Sequence, residues 1–329
     1  MPGDTSYDSA AHTLTGRRRR AHEGAAAARL RLALPAVALV LMLAVIFWQQ
    51  PRVMSYFGLT LLLNYSLPLV FAAAAQMCII AASDIDLGIG PFLSLVNCIA
   101  ATLLGARPVV GVGALLLCVA AYVVMGALIH LRSLPSIVVT LGASFVWLGL
   151  ALLLLPTPGG TVPAWLTDAT SWRPDFVPLP ILVGIVVAAL GQFLFMGTSY
   201  GAVLRGVGGN PRAIERAGWS LLAARMTLYG AAGVLGVLGG LALAGLNTSG
   251  DATVGGQYTL TSIAAVIVGG AEFFGGIVVP LGAVVGAWIM LLTGSLLAFV
   301  NVSSGWQLSA QGGILILVLG LRRLARGRG

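Results

Sequence analysis

The sequence is poor in charged residues and contains no lysine. Only 9% of its 329 residues are charged, whereas 58% are hydrophobic. Because soluble domains carry roughly 25% charged residues, this composition excludes a water-soluble globular protein and predicts a polytopic membrane protein. A chain without lysine also lacks the P-loop lysine that contacts the β- and γ-phosphates of a nucleotide. ATP hydrolysis by that route is therefore excluded.

Histidine and cysteine are also scarce, which excludes most catalytic and metal-binding motifs. Two of the three histidines, His12 and His22, lie in the polar N-terminal region, and His130 ends an apolar run. The sequence shows no Ser/His/Asp set and no zinc-binding motif, so we predict neither a catalytic residue nor a metal site. The three cysteines stand alone in apolar stretches and are predicted to be buried hydrophobic residues: Cys78, Cys98 and Cys118.

Apolar runs divided by helix breakers predict an all-α fold with about ten transmembrane helices. A helix needs about 20 residues to cross a bilayer, and no polar segment is long enough for a separate soluble domain. The predicted transmembrane domain covers 29–329 and follows a disordered, basic cytoplasmic tail at 1–28. Its predicted spans are 32–50, 58–81, 89–105, 109–131, 134–155, 178–197, 222–246, 258–271, 277–299 and 306–321.

Two of the apolar stretches are interrupted, at 84–90 and at 269–276. Each interruption could be a surface loop. Each could also be a broken helix at depth, which is tolerated only where the backbone packs on protein or lines a cavity.

The distribution of arginine predicts the orientation in the membrane. All 18 basic residues are arginine, and the net charge is +8. With ten spans and a cytoplasmic N-terminus, both termini lie inside and the outside holds only Arg52, Arg107 and Arg173. The inside then holds the remaining fifteen, as the positive-inside rule requires: Arg17–Arg20, Arg29, Arg31, Arg132, Arg205, Arg212, Arg216, Arg225, Arg322, Arg323, Arg326 and Arg328. This placement explains the basic charge without nucleic acid.

Three carboxylates fall within or beside predicted spans: Asp84, Asp86 and Glu272. A charge within the bilayer is costly, so such residues are candidates for a functional role. Asp86 could instead cap the helix that follows it, because an aspartate just before Gly88 suits a helix N-terminus. Two functional roles fit these carboxylates: lining a solute path that includes Gly88 and Gly90, or coupling transport to protons.

The loop at 198–221 contains local signals for a short helix. Asn210 suits the N-cap, Pro211 the first helical position and Gly218 the position after the C-terminus. These signals predict a two-turn helix over 211–217 on the cytoplasmic surface. Because so short a helix is marginal in water, we expect a partner protein to hold it. The alternative is a helix that lies on the membrane surface.

Glycine spacing predicts close packing between helices. The chain has 44 glycines, and Gly236 and Gly240, like Gly282 and Gly286, form a G-x-x-x-G pair. Such pairs let helix backbones approach closely, here either within the chain or at a dimer contact.

One internal similarity relates the two halves of the chain. Residues 86–90 (DLGIG) precede Ile99 as residues 251–255 (DATVG) precede Ile263, at offsets of 165 and 164 residues. An inverted five-helix repeat would produce this similarity, and so would coincidence in an apolar sequence of low complexity.

Three motifs, in order and spacing, resemble the membrane permease subunits of bacterial ABC importers of the ribose/simple-sugar class, which belong with the branched-chain amino acid permeases. Residues 84–90 (DIDLGIG) are similar to G-I-D-L-S-V-G, 208–213 (GGNPRA) to G-G-N-x-x-A-A, and 263–270 (IAAVIVGG) to I-A-A-V-V-L-G-G. The resemblance extends from about residue 60 to the C-terminus. The chain departs from the pattern at three places: Ser83-Asp84 replaces a glycine pair, Gly88 a serine, and Glu272 a small or polar residue.

The resemblance implies a transport subunit in a bacterial inner membrane, with no cofactor of its own. The implied partners are a second permease (identical or different), two cytoplasmic ABC ATPases that use ATP-Mg, and an extracytoplasmic solute-binding protein. The helix at 211–217 would be the coupling helix that docks on the ATPase, with Ile214 as its apolar anchor. The residues implied in coupling are Asn210, Pro211, Arg212, Ala213, Ile214, Glu215, Arg216, Ala217 and Gly218.

The implied solute is a sugar or a similar small polar molecule. Two different functions remain open on the sequence. One is a self-sufficient secondary transporter driven by protons, with Asp84, Asp86 or Glu272 as the proton carrier. The second is a membrane scaffold that transports nothing.

Overall fold

The computed structural model describes residues 33–303 and, after them, only residues 305, 306, 309, 310, 312, 313 and 316. The predicted tail at 1–28 and most of the tenth predicted span, 306–321, lie outside the described residues. Within them the chain is helical, and its one isolated β-bridge joins Gly159 to Gly250. The predicted all-α class is confirmed.

The helices begin and end close to the predicted apolar runs, and several begin at a proline, which suits the first helical turn. A 3-10 turn at Pro51–Met54 precedes the second helix. Turns of π-helix extend the fourth and eighth helices over Ala100–Leu104 and Phe193–Gly197. The helices are α1 (Ala33–Gln49), α2 (Tyr56–Leu63), α3 (Ser66–Ala81), α4 (Ile89–Ile99), α5 (Pro108–Leu131), α6 (Ser136–Leu154), α7 (Ala164–Ser171), α8 (Leu179–Gln192), α9 (Ser199–Gly209), α10 (Pro211–Arg216), α11 (Leu221–Asn247), α12 (Tyr258–Val268) and α13 (Pro280–Phe299).

Five of these helices are long and apolar enough to cross a membrane: α5, α6, α8 with its π-turn, α11 and α13. The pair α2 and α3, bent by 49°, makes a sixth if it forms one span. Three shorter apolar helices, α1, α4 and α12, occupy the places of further predicted spans. The chain is therefore a polytopic membrane protein, while the number of ten spans stays a prediction.

The first predicted interruption is a break packed inside the protein. Helix α3 ends at Ala81, and Ser83 has a left-handed φ of 60° before α4 begins at Ile89. Side chains of α6 bind backbone N–H groups of the break: Ser136 Oγ accepts from Ile85 N at 3.3 Å, and Thr140 Oγ1 accepts from Leu87 N at 3.1 Å. A backbone without helical bonds needs such partners in a membrane.

Helix α11 lies at the centre of the bundle and packs against α3, α4 and α5. A Cβ at Gly240 would lie 2.5 Å from Val96 Cβ, and one at Gly236 would lie 2.8 Å from the ring of Phe92. The second glycine pair, Gly282 and Gly286, packs against the backbone of α12 in the same way. Both pairs therefore serve contacts within the chain. The three cysteines are buried, as predicted.

Different loops meet at the two ends of the bundle. At one end, Ser83 Oγ donates to Gly208 O at 3.1 Å and accepts from Gly275 N at 3.2 Å, which joins the α3–α4 break, α9 and the loop after α12. At the other end, Tyr56 Oη donates to Pro174 O at 2.5 Å and Thr161 N donates to Ala101 O at 2.9 Å. We call these the α10 end and the α7 end.

The arginines divide between these ends as the positive-inside rule had grouped them. Among the described residues, the α10 end carries those of the α5–α6 turn, α9, α10 and the start of α11: Arg132, Arg205, Arg212, Arg216 and Arg225. The α7 end carries Arg52, Arg107 and Arg173, and the guanidinium of Arg173 lies 5.4 Å from the centre of the Phe57 ring.

Candidate coupling surface and solute path

The short helix predicted in the 198–221 loop is present as α10. Asn210 Oδ1 accepts from Ala213 N at 3.2 Å, and Pro211 takes the first helical position. At the other end Gly218 has a φ of +82°, and its N–H donates to Glu215 O at 2.9 Å. These contacts are the N-cap and the glycine C-terminal motif that the residue types predict. The predicted capping signals of this helix are thus confirmed. A further helix, α9, precedes it and was not predicted.

Ile214 is the one residue of α10 that turns toward its own chain. It is half-buried while the other five are exposed, and a Cβ on Gly206 of α9 would lie 2.6 Å from its Cγ1. The bare backbone of Gly206 receives this side chain, and the role of Ile214 as an anchor for an ATPase stays a prediction. The exposed residues around it are Pro211, Arg212, Ala213, Glu215, Arg216, Ala217 and Gly218.

Asp84, in the α3–α4 break, faces the beginning of α11. Arg225 Nε lies 3.4 Å from its Oδ2, an ion pair, and Tyr229 Oη donates to the same oxygen at 3.1 Å. A cavity of about 460 Å³ at the α10 end adjoins this pair, and its lining includes His130 and Ser136. The carboxylate that departs from the resembled motif thus ties the break to the helix that follows α10.

Asp86 is almost fully buried and faces α5. Its Oδ1 accepts from Gly88 N at 2.7 Å, and its Oδ2 accepts from Tyr122 Oη at 2.7 Å. With its amide oriented to satisfy both neighbours, Gln76 of α3 bonds the backbone N and O of Asp86 at 3.1 and 3.2 Å. Gly88 is the N-cap residue of α4, so the carboxylate braces the chain just before the helix and does not bond the N–H groups of its first turn.

The first two turns of α4 meet the start of α12 and the segment just before it in a reciprocal contact. Gly90 N donates to Thr259 Oγ1 at 3.1 Å, and Gly255 N donates to Ser94 Oγ at 2.8 Å. Each donor and each acceptor has its counterpart 165 residues away. The same offset relates the turn at Asp86 to that at Asp251, whose Oδ1 accepts from Thr253 N at 2.7 Å.

Glu272 lies in the loop between α12 and α13, and its N–H donates to Ile277 O at 3.1 Å. This loop contacts α9 at Gly276 and the α3–α4 break at Ser83. The structure therefore places the segments of Asp84 and Glu272 at the α10 end. It places Gly90 where α4 meets α12, and Asp86 lies between Asp84 and Gly90 along the chain.

Residues 58–319 match the family described as branched-chain amino acid transport system, permease component. The chain belongs to this family. The motifs of the resemblance fall, in this permease, at the α3–α4 break, at the α9–α10 junction and along α12.

The permease has similar proteins among the bacterial sugar importers. It is 26% identical over 315 residues to the galactose/methyl galactoside import permease protein MglC of Salmonella typhimurium, covering 89% of this chain and 94% of the relative. It is 26% identical over 293 residues to the ribose import permease protein RbsC of Escherichia coli, covering 86% and 91%. Over 143 residues it is 34% identical to the xylose transport system permease protein XylH of Haemophilus influenzae, covering 44% and 38%. No solved structure is significantly similar to the permease.

Family and relatives identify the permease as a membrane subunit of an ABC importer and confirm the resemblance seen in the sequence. It is a transport subunit.

Sequence reasoning missed two aromatic features of the permease. Trp219, which follows α10, is 45% exposed, and its ring lies 5.6 Å from that of Tyr200. Phe92, Tyr122 and Trp147 form a buried cluster around the start of α4. No sequence motif links Phe92, Tyr122 and Trp147, because these residues lie on three different helices, α4, α5 and α6.

Proposed function

We propose that the permease imports a small neutral sugar, working with separate cytoplasmic ATPases that use ATP-Mg and with an external solute-binding protein. The observation that carries this proposal is α10, which is exposed on five of its six residues and yet held by two caps and by Ile214. A fixed, polar, exposed helix is suited to transmit force from another protein. The names of the relatives, which include galactose, ribose and xylose permeases, support a sugar as the solute.

We place the α10 end in the cytoplasm of a bacterial cell and the α7 end outside. The support is the unequal distribution of arginine between the two ends and at the chain termini. Both termini would then be cytoplasmic, with ten spans in the inner membrane.

The contacts of Asp84 supply a route from α10 to the membrane interior. Ser220 caps α11, its Oγ accepting from Ala223 N at 3.2 Å, and only residues 217–220 separate α10 from α11. A displacement of α10 would therefore move the first turns of α11, which carry Arg225. The ion pair to Asp84 would pass that movement to the α3–α4 break.

The reciprocal contact between α4 and α12 supports an inverted repeat. Two helices that begin beside each other and run to opposite ends of the bundle suit a path that opens to one side at a time. A second permease, identical or different, would complete the complex. The residues that we propose for the solute path of each permease are Asp84, Asp86, Gly88, Gly90 and Glu272.

Reconstitution tests the proposed function. Liposomes that carry the permease and its ATPase should accumulate labelled D-galactose, D-ribose or D-xylose when ATP-Mg is inside and the binding protein is outside. Liposomes with the permease alone should show no ATP-dependent uptake, because the chain has no P-loop lysine. Uptake driven by a proton gradient without the ATPase would contradict the proposal and favour a secondary transporter.

A further inference from the structure

A cavity of about 840 Å³ lies on the side of the bundle, between α8 and the beginning of α13. Its lining includes Ile185, Ala188, Ala189 and Gln192, which stand at helical spacing on one face of α8. Ile185 and Leu281, which both line the cavity, are 54% and 42% exposed. Because α8 is long and apolar enough to cross the membrane, exposed apolar side chains on it face lipid. The cavity is therefore a groove that opens toward the bilayer, and we call it the α8 groove.

The polar groups of the α8 groove lie at the α10 end. Gln192 is the last residue of α8, and Arg205 comes from α9. From Gln192 back to Ile185 the groove follows α8 for seven residues, or about 10 Å, along apolar side chains. A cation at the membrane surface and an apolar groove toward the middle of the bilayer together fit an amphiphilic ligand.

The charge of Arg205 is not compensated by an acid in the described part of the chain. Its Nη1 donates to the sulfur of Met196, which also lines the groove, and its carbonyl lies against the backbone of Gly276. A thioether is only a weak acceptor, so this contact positions the guanidinium without neutralising it. None of the described residues that line the groove is acidic. The groove therefore suits a ligand with an anionic head.

Charge also distinguishes this ligand from other apolar partners. The predicted tenth span is followed by four arginines at 322–328, which would meet Arg205 with like charge at the α10 end. A second copy of the permease in the same orientation would bring another Arg205 to the same depth of the membrane. An anionic lipid brings the opposite charge, and basic pockets between transmembrane helices bind such headgroups on the cytoplasmic side.

We propose that the α8 groove binds an anionic phospholipid of the leaflet at the α10 end, with its phosphate on Arg205 and Gln192 and one acyl chain along Ala189 and Ile185. The inference goes beyond the proposed function, because it concerns the surrounding membrane and not the solute. Arg205 precedes Gly206, which receives Ile214 of α10. A bound lipid would therefore brace α8, α9 and α13 beside the proposed docking helix.

The test measures lipid binding to the purified full-length permease by native mass spectrometry, with dioleoylphosphatidylglycerol and dioleoylphosphatidylcholine as probes. Both have the same acyl chains and a phosphate, but only the first has a net negative charge. We expect the wild type to bind the phosphatidylglycerol about tenfold more tightly, and Arg205→Gln to lose this preference, because a charge-assisted hydrogen bond is removed.

A second variant tests the place of the acyl chain. Ala189→Phe puts a ring where the chain would lie and should weaken the binding of both lipids about tenfold. Ala189 is exposed, so the permease should fold with the larger side chain. Leu190→Phe, on the exposed surface of α8 outside the groove, is the matched control and should bind both lipids as the wild type does.

The control for charge is Arg132→Gln, which removes an exposed arginine at the same end of the bundle and should keep the preference for phosphatidylglycerol. Equal binding of the two lipids by the wild type, or an unchanged preference in Arg205→Gln, would overturn the inference. Unchanged binding in Ala189→Phe would place the lipid elsewhere and overturn it too. If the wild type bound neither lipid, the groove would be filled by another part of the chain or by a second copy, and the inference would again be wrong. Sugar uptake does not enter this measurement, so each of these failures is distinct from a failure of the proposed function.

Discussion

At the scale of single residues, Asp84 shows how a departure from a family pattern acquires a structural role. The residue stands where the resembled motif has a glycine, within a segment that is buried in the membrane domain. Burial of one carboxylate is costly unless a cation and hydrogen bonds compensate it, and Arg225 and Tyr229 of α11 provide both. The added charge therefore depends on a partner 141 residues away, which follows α10 directly along the chain.

Asp84→Asn should destabilise the complex by about 1–3 kcal/mol, because Arg225 loses its counter-charge in a largely buried place. The double variant Asp84→Gly/Arg225→Met removes both charges and should recover most of that stability. It should nevertheless transport less sugar per ATP hydrolysed, since the link between α11 and the break is gone. The measurements are the melting temperature and the ratio of uptake to ATP hydrolysis.

Arg132→Gln is the matched control for this pair, because Arg132 is exposed at the same end of the bundle. It should change neither quantity. Strictly additive effects of the two single substitutions at Asp84 and Arg225 on stability and coupling would show that the two residues do not act together.

At the scale of elements, the residues that hold α10 in place differ from those that it exposes to a partner. Its caps and Ile214 hold the helix on α9, whereas Arg212, Ala213, Glu215 and Arg216 face away from the chain. A six-residue helix would be marginal in isolation, and these attachments to the chain explain why it forms. A partner protein that binds the exposed residues of this helix stays a prediction.

The double substitution Ala213→Asp/Arg216→Glu should reduce affinity for the ATPase at least tenfold without changing the melting temperature of the permease. Both residues lie on the exposed side of α10, so only an interface would be affected. Ile214→Asp should lower both quantities, because it forces a carboxylate against the backbone of Gly206. Co-purification with the ATPase and thermal unfolding are the measurements.

The control for this surface is Asp168→Arg, a charge change on the exposed face of α7 at the opposite end. It should bind the ATPase as the wild type does. Unchanged ATPase affinity in Ala213→Asp/Arg216→Glu would exclude α10 as the docking helix.

At the scale of the whole molecule, the two ends of the bundle differ in charge and in structure. The α10 end carries a fixed surface helix and most of the described arginines, whereas the α7 end carries the long 156–177 loop and three arginines. Both differences favour the same orientation, with α10 toward the cytoplasm.

Cysteine labelling tests this orientation, since the native cysteines are buried and provide little background. Thr161→Cys should react with a membrane-impermeant maleimide added to intact cells, and Glu215→Cys should react only after the membrane is opened. Both positions are exposed, at the α7 end and in α10 respectively. If Glu215→Cys alone reacted in intact cells, the orientation would be the reverse of the proposed one. That result would contradict the arrangement of ten spans with both termini in the cytoplasm.

The sequence by itself determined the features that depend on neighbouring residues. Apolar runs predict where helices form, because each span must bond its own backbone in lipid. Asn210, Pro211 and Gly218 predict both ends of α10, because capping acts within one turn of the chain. The motifs at 84–90, 208–213 and 263–270 were enough to predict the family.

Only the tertiary structure decided the features that depend on residues far apart in the chain. The direction of Ile214 follows from the bare backbone of Gly206, and the partner of Asp84 comes from α11. The ring of Trp147 meets that of Phe92 only because α6 packs across the start of α4. Helix positions can be predicted from local hydrophobicity and capping, but which side chains meet depends on how the helices rotate and cross, and no short stretch of sequence encodes that.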